Sequence, residues 1–460
     1  MKRINIENII YFLVCLYFLD IIVFGTGVIT RIGFISTRII IGIMAVIISL
    51  PIVIKKMKSK YVIMLVGFLS ILLIGFIRGI INSNSYSIIK SDISGFAHIL
   101  IILPMMCCLN SEQRIIKLIK IFSHTLSIFA ITTIVLTFYC MFPENISSGI
   151  YTLLDTYGLG GITVLSGNAV RIFWHTSSRL FIVAFMYYLI MYVTNTNSRK
   201  ISILAMSINL VATFVSYTRS LYFGILIAFG IAIIMVLLFC SGEAVKLFRC
   251  VGISVAMSAV MLSALGLVQQ TNLFSVAIDR CLIAEGFFDN VQNIQLNQST
   301  EGLLDNVLDN AYDSSEEKYN DGSSGINFNN NKSEILSVSI RTQRQELAIE
   351  NISKNILFGC GLGTINDPNG EPIELFYLDI LSKIGVTGLA AFLVPYACVL
   401  YDFCTKRYGK VQRFVLLACI VAVSYAMSFS YFNPFMNSAV GLSLYSLCIS
   451  QTFVWEDDKQ

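Results

Sequence analysis

The sequence predicts an all-α polytopic integral membrane protein with about 12 transmembrane helices and one large extracytoplasmic loop carrying short helices. Of its 460 residues, 56% are apolar and 13% are charged, against about 25% charged residues in an ordinary soluble domain. A soluble fold of this composition would expose large apolar patches to water. The composition therefore excludes a plain globular enzyme, a disordered chain and a nucleic-acid-binding protein.

Twelve apolar runs are each close to the length of about 20 residues that a helix needs to cross a bilayer. They centre on residues 9–28, 34–54, 61–81, 93–109, 121–142, 175–194, 201–217, 220–240, 250–268, 381–401, 414–430 and 436–454. The first run follows Met1-Lys2-Arg3 without a small-residue cleavage site after it. We therefore expect a retained signal anchor rather than a cleaved signal peptide.

The basic residues set the expected orientation in the membrane. Together with the two termini, five short connections hold 18 of the 32 Lys and Arg residues. These connections are Lys55–Lys60, Asn110–Lys120, Thr196–Lys200, Ser241–Arg249 and Asp402–Arg413. Because cytoplasmic loops are enriched in Lys and Arg, the pattern predicts that both termini are cytoplasmic.

This topology divides the chain into three parts. Residues 1–268 hold helices 1–9, residues 269–373 form the large outer loop, and residues 374–460 hold helices 10–12 and the cytoplasmic C-terminus. Within the loop, residues 289–334 are rich in Asn, Ser, Asp and Gly and predict a mobile tract. Residues 340–357 carry apolar positions at helical spacing and predict a polar helix.

Two features follow this loop helix. The segment Gly359-Cys360-Gly361-Leu362-Gly363 ends a helix rather than opening one after a strand, so we interpret it as a helix terminator rather than a phosphate cradle. Cys281 and Cys360 are the only cysteines in the long loop, and a disulfide between them stays open. Most of the twelve cysteines fall inside apolar runs and are interpreted as small hydrophobic residues.

Charges at the outer ends of the membrane spans are the candidate functional residues, because charge near hydrocarbon is costly. Arg219 opens the eighth span; its alternative role is a snorkelling helix end. Arg341 and Arg344 share one helix face and suit a pyrophosphate, or else form a solvated face with neighbouring glutamates. Arg171 and Arg179 flank a His and a Trp, which are also typical of an interfacial belt.

Acidic residues open the tenth span. Glu374 lies at its outer edge with no basic residue at i+3 or i+4, so it is a candidate general base or a helix N-terminal carboxylate favoured by the dipole. Asp379 and Lys383 have i, i+4 spacing and are expected to pair. Asp20 and Arg78 receive no role from the sequence.

Two motifs, in this order and spacing, carry a resemblance. The first is Ser216-Tyr217-Thr218-Arg219-Ser220, a Ser-Arg turn that opens a span. The second runs from Ser339-Ile340-Arg341 through the glycine segment and Glu374-Leu375-Phe376-Tyr377-Leu378 to Gly385-Val386-Thr387-Gly388-Leu389. With the large outer loop before the last three spans, the chain resembles the bacterial O-antigen polymerases of the Wzy type and their relatives, the O-antigen ligases.

The resemblance implies a metal-independent inverting glycosyltransferase without a cofactor. Its substrate would be an undecaprenyl-pyrophosphate-linked oligosaccharide in the bilayer of the bacterial inner membrane, with the active site facing the periplasm. The product would be O-antigen of lipopolysaccharide or a related surface polysaccharide. The implied partners are a chain-length regulator and a flippase of the same pathway. Arg219, Arg341, Arg344, Arg179 and Arg171 would bind the pyrophosphate.

Three alternatives remain open at this stage. A ligase would transfer finished polymer to lipid A core, but the ligase-like pattern has His where this chain has Glu374. A flippase or transporter would typically show internal repeats and interrupted midplane helices, whereas the chain has only seven prolines. An assembly scaffold would leave the outer arginines without a role.

Overall fold

The computed structural model describes residues 5–25, 27, 29–32, 35–55, 60–140, 148–164, 170–194, 197–269, 273, 330–367, 375–431, 433 and 435–457. The chain divides into two compact units, Met1–Leu273 with Ile340–Gln460, and Phe274–Ser339. The second unit is described only over residues 330–339, which are helical. All the contacts discussed below lie within the first unit.

The described part of the chain is mostly helical. Its helices up to the large loop are α1 Ile6–Phe24, α2 Thr37–Lys55, α3 Lys60–Ile81, α4 Tyr86–Ala97, α5 Ile102–Cys108, α6 Glu112–Cys140, α7 Ser148–Thr156, α8 Phe181–Thr194, α9 Arg199–Val215, α10 Arg219–Phe239 and α11 Ser241–Gln269. The remaining helices are α12 Asn330–Lys354, α13 Phe376–Thr405, α14 Lys410–Phe429 and α15 Ala439–Asp457. Each predicted apolar run therefore contains a helix.

Nine helices within the described residues are long and apolar enough to cross a membrane, counting Tyr86–Cys108 as one. This confirms a helical membrane protein, while the predicted number of twelve spans stays a prediction. The difference arises at three runs, where α8 has 14 residues, α9 has 17 and α15 is less apolar. Between α4 and α5, residues His98–Ile101 form a 3-10 turn.

Two short antiparallel hairpins modify the all-α expectation. Strands β1 Arg31–Ile32 and β2 Ile35–Ser36 pair between α1 and α2. Strands β3 Gly160–Val164 and β4 Val170–Trp174 pair in the segment before α8. The β4 sequence alternates buried and half-buried side chains and is rich in aromatic and β-branched residues, which is typical of a strand with one face on the core.

The loop helix differs from its predicted bounds. We expected a helix over residues 340–357, but α12 runs from Asn330 to Lys354. It therefore includes the last five residues of the tract predicted to be mobile, residues 289–334, of which the others lie outside the described residues.

Helices α3 and α13 pack antiparallel, with an ion pair between them at one end. At one end, Lys60 at the start of α3 binds Asp402 near the end of α13, with 2.7 Å between Nζ and Oδ2. At the other end, α13 is broken at Gly385, so its unbroken part is residues 386–405. Twenty helical residues span about 30 Å, which matches the hydrocarbon thickness of a bilayer. The chemistry below lies at the Gly385 end, where α3 ends and α13 begins.

Candidate functional site

The glycine segment, residues 359–363, connects α3, α4 and α13. All five of its backbone N–H groups donate hydrogen bonds within the protein. The acceptors are Asn355 O, Ser382 O, Lys383 O, Gly75 O and Asp92 Oδ2, in the order of the donors, at 2.7–2.9 Å. A phosphate cradle requires free N–H groups directed at the ligand. Since these N–H groups already have acceptors in the protein, the segment does not form a phosphate cradle. α12 ends at Lys354, before the glycine segment that we expected to end it.

Glycine is required in this segment because two backbones approach each other closely. Gly361 has φ +97°, and a Cβ there would lie 2.3 Å from Gly79 N. A Cβ on Gly79 would in turn lie 2.3 Å from Leu362 O. Because neither backbone leaves room for a side chain, the segment fixes the end of α3 against α13.

A buried ion cluster lies under the glycine segment. Lys383 Nζ lies 2.7 Å from Asp92 Oδ1 and 2.8 Å from Asp379 Oδ1, and the three side chains are between 5% and 10% exposed. The predicted pairing of Asp379 with Lys383 is confirmed. The sequence did not single out Asp92, although a carboxylate at the edge of the apolar run 93–109 is itself a signal. Buried charges of this kind need their partners, so the cluster ties α4 to α13.

A second buried pair holds α12 to this end of the bundle. Arg344 binds Asp367, which follows the glycine segment and is fully buried. The adjacent Asn366 donates to Ser382 Oγ at 2.6 Å. Arg344, a predicted pyrophosphate ligand, thus has a protein carboxylate on its guanidinium. Arg341 lies one helical turn earlier on α12 and is exposed.

An arginine side chain also binds the turn between α9 and α10. Arg171 of β4 donates from Nε to Ser216 O at 2.8 Å and from Nη2 to Thr218 Oγ1 at 3.1 Å. This turn contains Tyr217 in a left-handed conformation with φ +44° and leads directly into Arg219, the first residue of α10. The side chain of Arg219 lies outside the described part. We call residues 216–219 with Arg171 and Arg179 the arginine turn.

Arg179, the last residue of the 3-10 turn Ser177–Arg179 before α8, lies beside the end of α14. Its Cζ lies 5.7 Å from the ring centroid of Phe429 and 6.0 Å from that of Phe435, at and just after the end of α14. Aromatic faces attract a guanidinium over this distance. Since Tyr377 of α13 donates to Met427 O of α14 at 2.8 Å, the arginine turn and the start of α13 adjoin the same end of α14.

His175 lies beside these arginines. It directly follows β4, and its ring centroid is 5.5 Å from that of Phe173. Burial disfavours the charged imidazolium and the nearby Arg179 repels it, so the pKa of His175 is lowered. Asp155 of α7 opposes this shift. Near neutral pH the ring is therefore uncharged and able to accept a proton.

The remaining residues named from the sequence lie partly outside the described part of the chain. Glu374 and Cys281 lie outside the described residues. Cys360 is half-buried, and its Sγ donates to Asn351 O at 3.1 Å. The two residues without a predicted role differ: Asp20 binds Arg38 in a buried pair at 3.0 Å, and Arg78 is half-buried near the end of α3.

Comparisons of the chain with protein-family models, with curated proteins and with solved structures found no match.

Proposed function

We propose that this chain is an oligosaccharide repeat-unit polymerase. It joins undecaprenyl-pyrophosphate-linked repeat units into O-antigen or a related surface polysaccharide at the outer face of the bacterial inner membrane. The observation that supports the proposal is the arginine turn, because Arg171 binds the backbone just before Arg219, the first residue of α10, and Arg179 lies beside the end of α14. Guanidinium forks bind phosphate oxygens bidentately.

The proposed reaction is a single inverting displacement. The acceptor hydroxyl on the non-reducing end of a new lipid-linked unit loses its proton to a base, and its oxygen forms a bond to the anomeric carbon of the growing chain. The bond from that carbon to the phosphate oxygen breaks, and the electron pair leaves with undecaprenyl pyrophosphate. Arg171, Arg179 and Arg219 stabilise this charge, and Arg341 of α12 is the further candidate ligand. Arg344, also predicted from the sequence, is already paired with the buried Asp367.

Two residues are candidates for the base. Glu374 is the candidate from its sequence position at the outer edge of α13. His175 is the candidate that the described geometry adds, because its ring lies near Arg179 directly after β4 and its lowered pKa keeps the ring in the uncharged, base form. Replacing each with Gln separates the two, since loss of the base typically costs about 10²–10⁴-fold in rate.

The test is a clean deletion followed by separation of the surface glycan on a gel. A polymerase predicts a single repeat unit on the lipid anchor and loss of the polymer ladder. Full-length polymer accumulating on undecaprenyl pyrophosphate would instead establish the ligase. Single units trapped on the inner leaflet would establish the flippase.

Complementation with variants then tests the arginines. We expect Arg341→Lys to lose most polymer while the protein remains inserted and abundant, because Lys lacks the bidentate fork. Arg199→Lys, at the opposite end of the bundle where α9 begins, is the matched control and should keep the ladder. Full polymer length in Arg341→Lys would argue against a pyrophosphate role for this residue.

A further inference from the structure

A polar cleft of about 360 Å³ lies beside the glycine segment. One wall is the turn between α3 and α4, formed by Asn82, Ser83, Asn84 and Ser85, and the other includes Lys354 at the end of α12 and Ile365. Ligand sites typically occupy about 300–1,000 Å³. The arginine turn contributes none of the residues that line this cleft, so the cleft is a separate feature.

The turn presents oxygen atoms to the cleft because its amide nitrogens are already used. Asn82 Nδ2 donates to Cys360 O at 2.7 Å, and Asn84 Nδ2 donates to Leu362 O at 2.9 Å. These bonds fix the two amide planes. Within the described residues, the Oδ1 atoms of both asparagines and the hydroxyls of Ser83 and Ser85 make no hydrogen bond to the protein. Two carbonyl acceptors and two hydroxyls thus alternate along four residues.

The backbone of this wall is held in an unusual conformation. Ser83 has φ +55°, a region that L-residues other than Asn and Asp seldom adopt. Its N–H donates to Ile80 O and the N–H of Asn84 donates to Gly79 O, at 3.0 and 2.9 Å. The conformation therefore results from the sharp exit from α3, which places consecutive polar side chains on the cleft.

The charge of the lining narrows the class of ligand. Lys354 is the only charged side chain among the described lining residues, and it already pairs with Glu350 at 2.9 Å. A cation would meet no carboxylate in this lining, and a pyrophosphate would meet a single shared ammonium group. Ile365 is 48% exposed and offers an apolar surface beside the oxygens. A ring with hydroxyls at its rim and C–H groups on its face matches this combination.

We propose that this cleft binds the sugar rings of an oligosaccharide, as the acceptor subsite of the polymerase. This assignment rests on the proposed function for the identity of the sugar. The cleft includes Asn82 and Ser83, which directly follow α3, a helix long and apolar enough to cross a membrane. The first sugars on a lipid anchor would lie just beyond such a span. The ligand donates hydroxyl protons to the asparagine oxygens and exchanges hydrogen bonds with the serine hydroxyls.

The test is protection of an introduced thiol in the full-length protein reconstituted into nanodiscs. Ser83→Cys places a thiol on the cleft wall, and Ser85→Cys repeats this at an ordinary backbone conformation. Tyr86→Cys is the matched control, since Tyr86 is 77% exposed and does not line the cleft. The probe is an oligosaccharide of one or two repeat units, released from the surface glycan of the same cells by partial acid hydrolysis. The rate of reaction with a charged maleimide is measured with and without it.

We expect the oligosaccharide to slow labelling of both cleft thiols at least about fivefold and to leave the labelling of Tyr86→Cys unchanged. A Kd near 1 mM with several mM probe gives protection of this order. Inorganic pyrophosphate should have no effect on the labelling of any of the three thiols. Protection by pyrophosphate alone would overturn the proposal in favour of an anion site. Labelling that neither compound slows would also overturn it. A deletion strain that keeps its glycan ladder would refute the polymerase itself, a result independent of thiol protection.

Discussion

Replacing Gly385 with Ala tests how the break in α13 is built. Gly385 has φ +69° and ψ −170°, a region that is accessible essentially only to glycine, and a residue with a side chain costs about 1–3 kcal/mol there. A Cβ would also lie 2.3 Å from Leu357 O. That contact displaces Ile356 and Leu357, whose backbone carbonyls accept hydrogen bonds from Val386 N at 2.9 Å and Thr387 N at 3.2 Å. Each such hydrogen bond contributes about 1 kcal/mol.

The expected loss of unfolding free energy in Gly385→Ala is therefore about 3–5 kcal/mol. The assay is unfolding of the purified protein by SDS in mixed micelles with a non-ionic detergent. Gly252→Ala in α11 is the control, because a Cβ there meets no atom within 4 Å and Ala favours a regular helix by about 1 kcal/mol. A Gly385→Ala protein that unfolds within about 1 kcal/mol of Gly252→Ala would refute the reasoning.

Further predictions concern the buried charges and His175. Lys383→Met leaves two buried carboxylates without a cation and should cost about 3–5 kcal/mol, part of which the additional change Asp92→Asn recovers. Lys354→Met removes an exposed pair and should cost at most about 1 kcal/mol in the same unfolding assay; equal losses in the two single variants would contradict the assignment of a buried cluster. Because the pKa of His175 is lowered in the folded protein, the unfolded chain takes up a proton first as pH falls below about 6.5, so stability falls with it. The wild type should therefore lose stability more steeply than His175→Gln between pH 7 and pH 5, and parallel curves would show that the ring is not desolvated.

The positions of the membrane helices followed closely from the apolar runs. The run at residues 175–194 is an exception, because its helix begins later than the run predicts. Its first five residues are polar, His175-Thr176-Ser177-Ser178-Arg179. Ser177 Oγ donates to Ile22 O of α1 at 2.9 Å, and the N–H of Trp174 donates to Ser178 Oγ at 2.8 Å. These contacts favour a 3-10 turn, and α8 begins only at Phe181. Bonds to a distant helix have no signature in the local sequence.

In the candidate site, too, the sequence predicted a contact within one helix but not the contacts between elements. The i, i+4 spacing predicted the contact between Asp379 and Lys383, because a helix brings these positions together. The third member, Asp92, lies 291 residues from Lys383 in the chain. Nor could the sequence show that Arg344 binds Asp367, or that Arg171 binds the turn before Arg219, since each contact joins different elements.

The sequence by itself determined that this is a helical membrane protein and where its helices lie. It also showed that more than half of the basic residues fall in the termini and five short connections, which we expect on one side of the membrane. These properties depend on the length, composition and spacing of short segments, because bilayer thickness and helix geometry fix the length and the apolar spacing of a spanning helix. Only the tertiary structure decided that the glycine segment uses its N–H groups to join α3 to α13, and which buried charges form pairs. Buried polar groups must find partners wherever the fold brings them, and in ion pairs between elements those partners lie anywhere from 18 residues away, as for Asp20 and Arg38, to 342 residues away, as for Lys60 and Asp402.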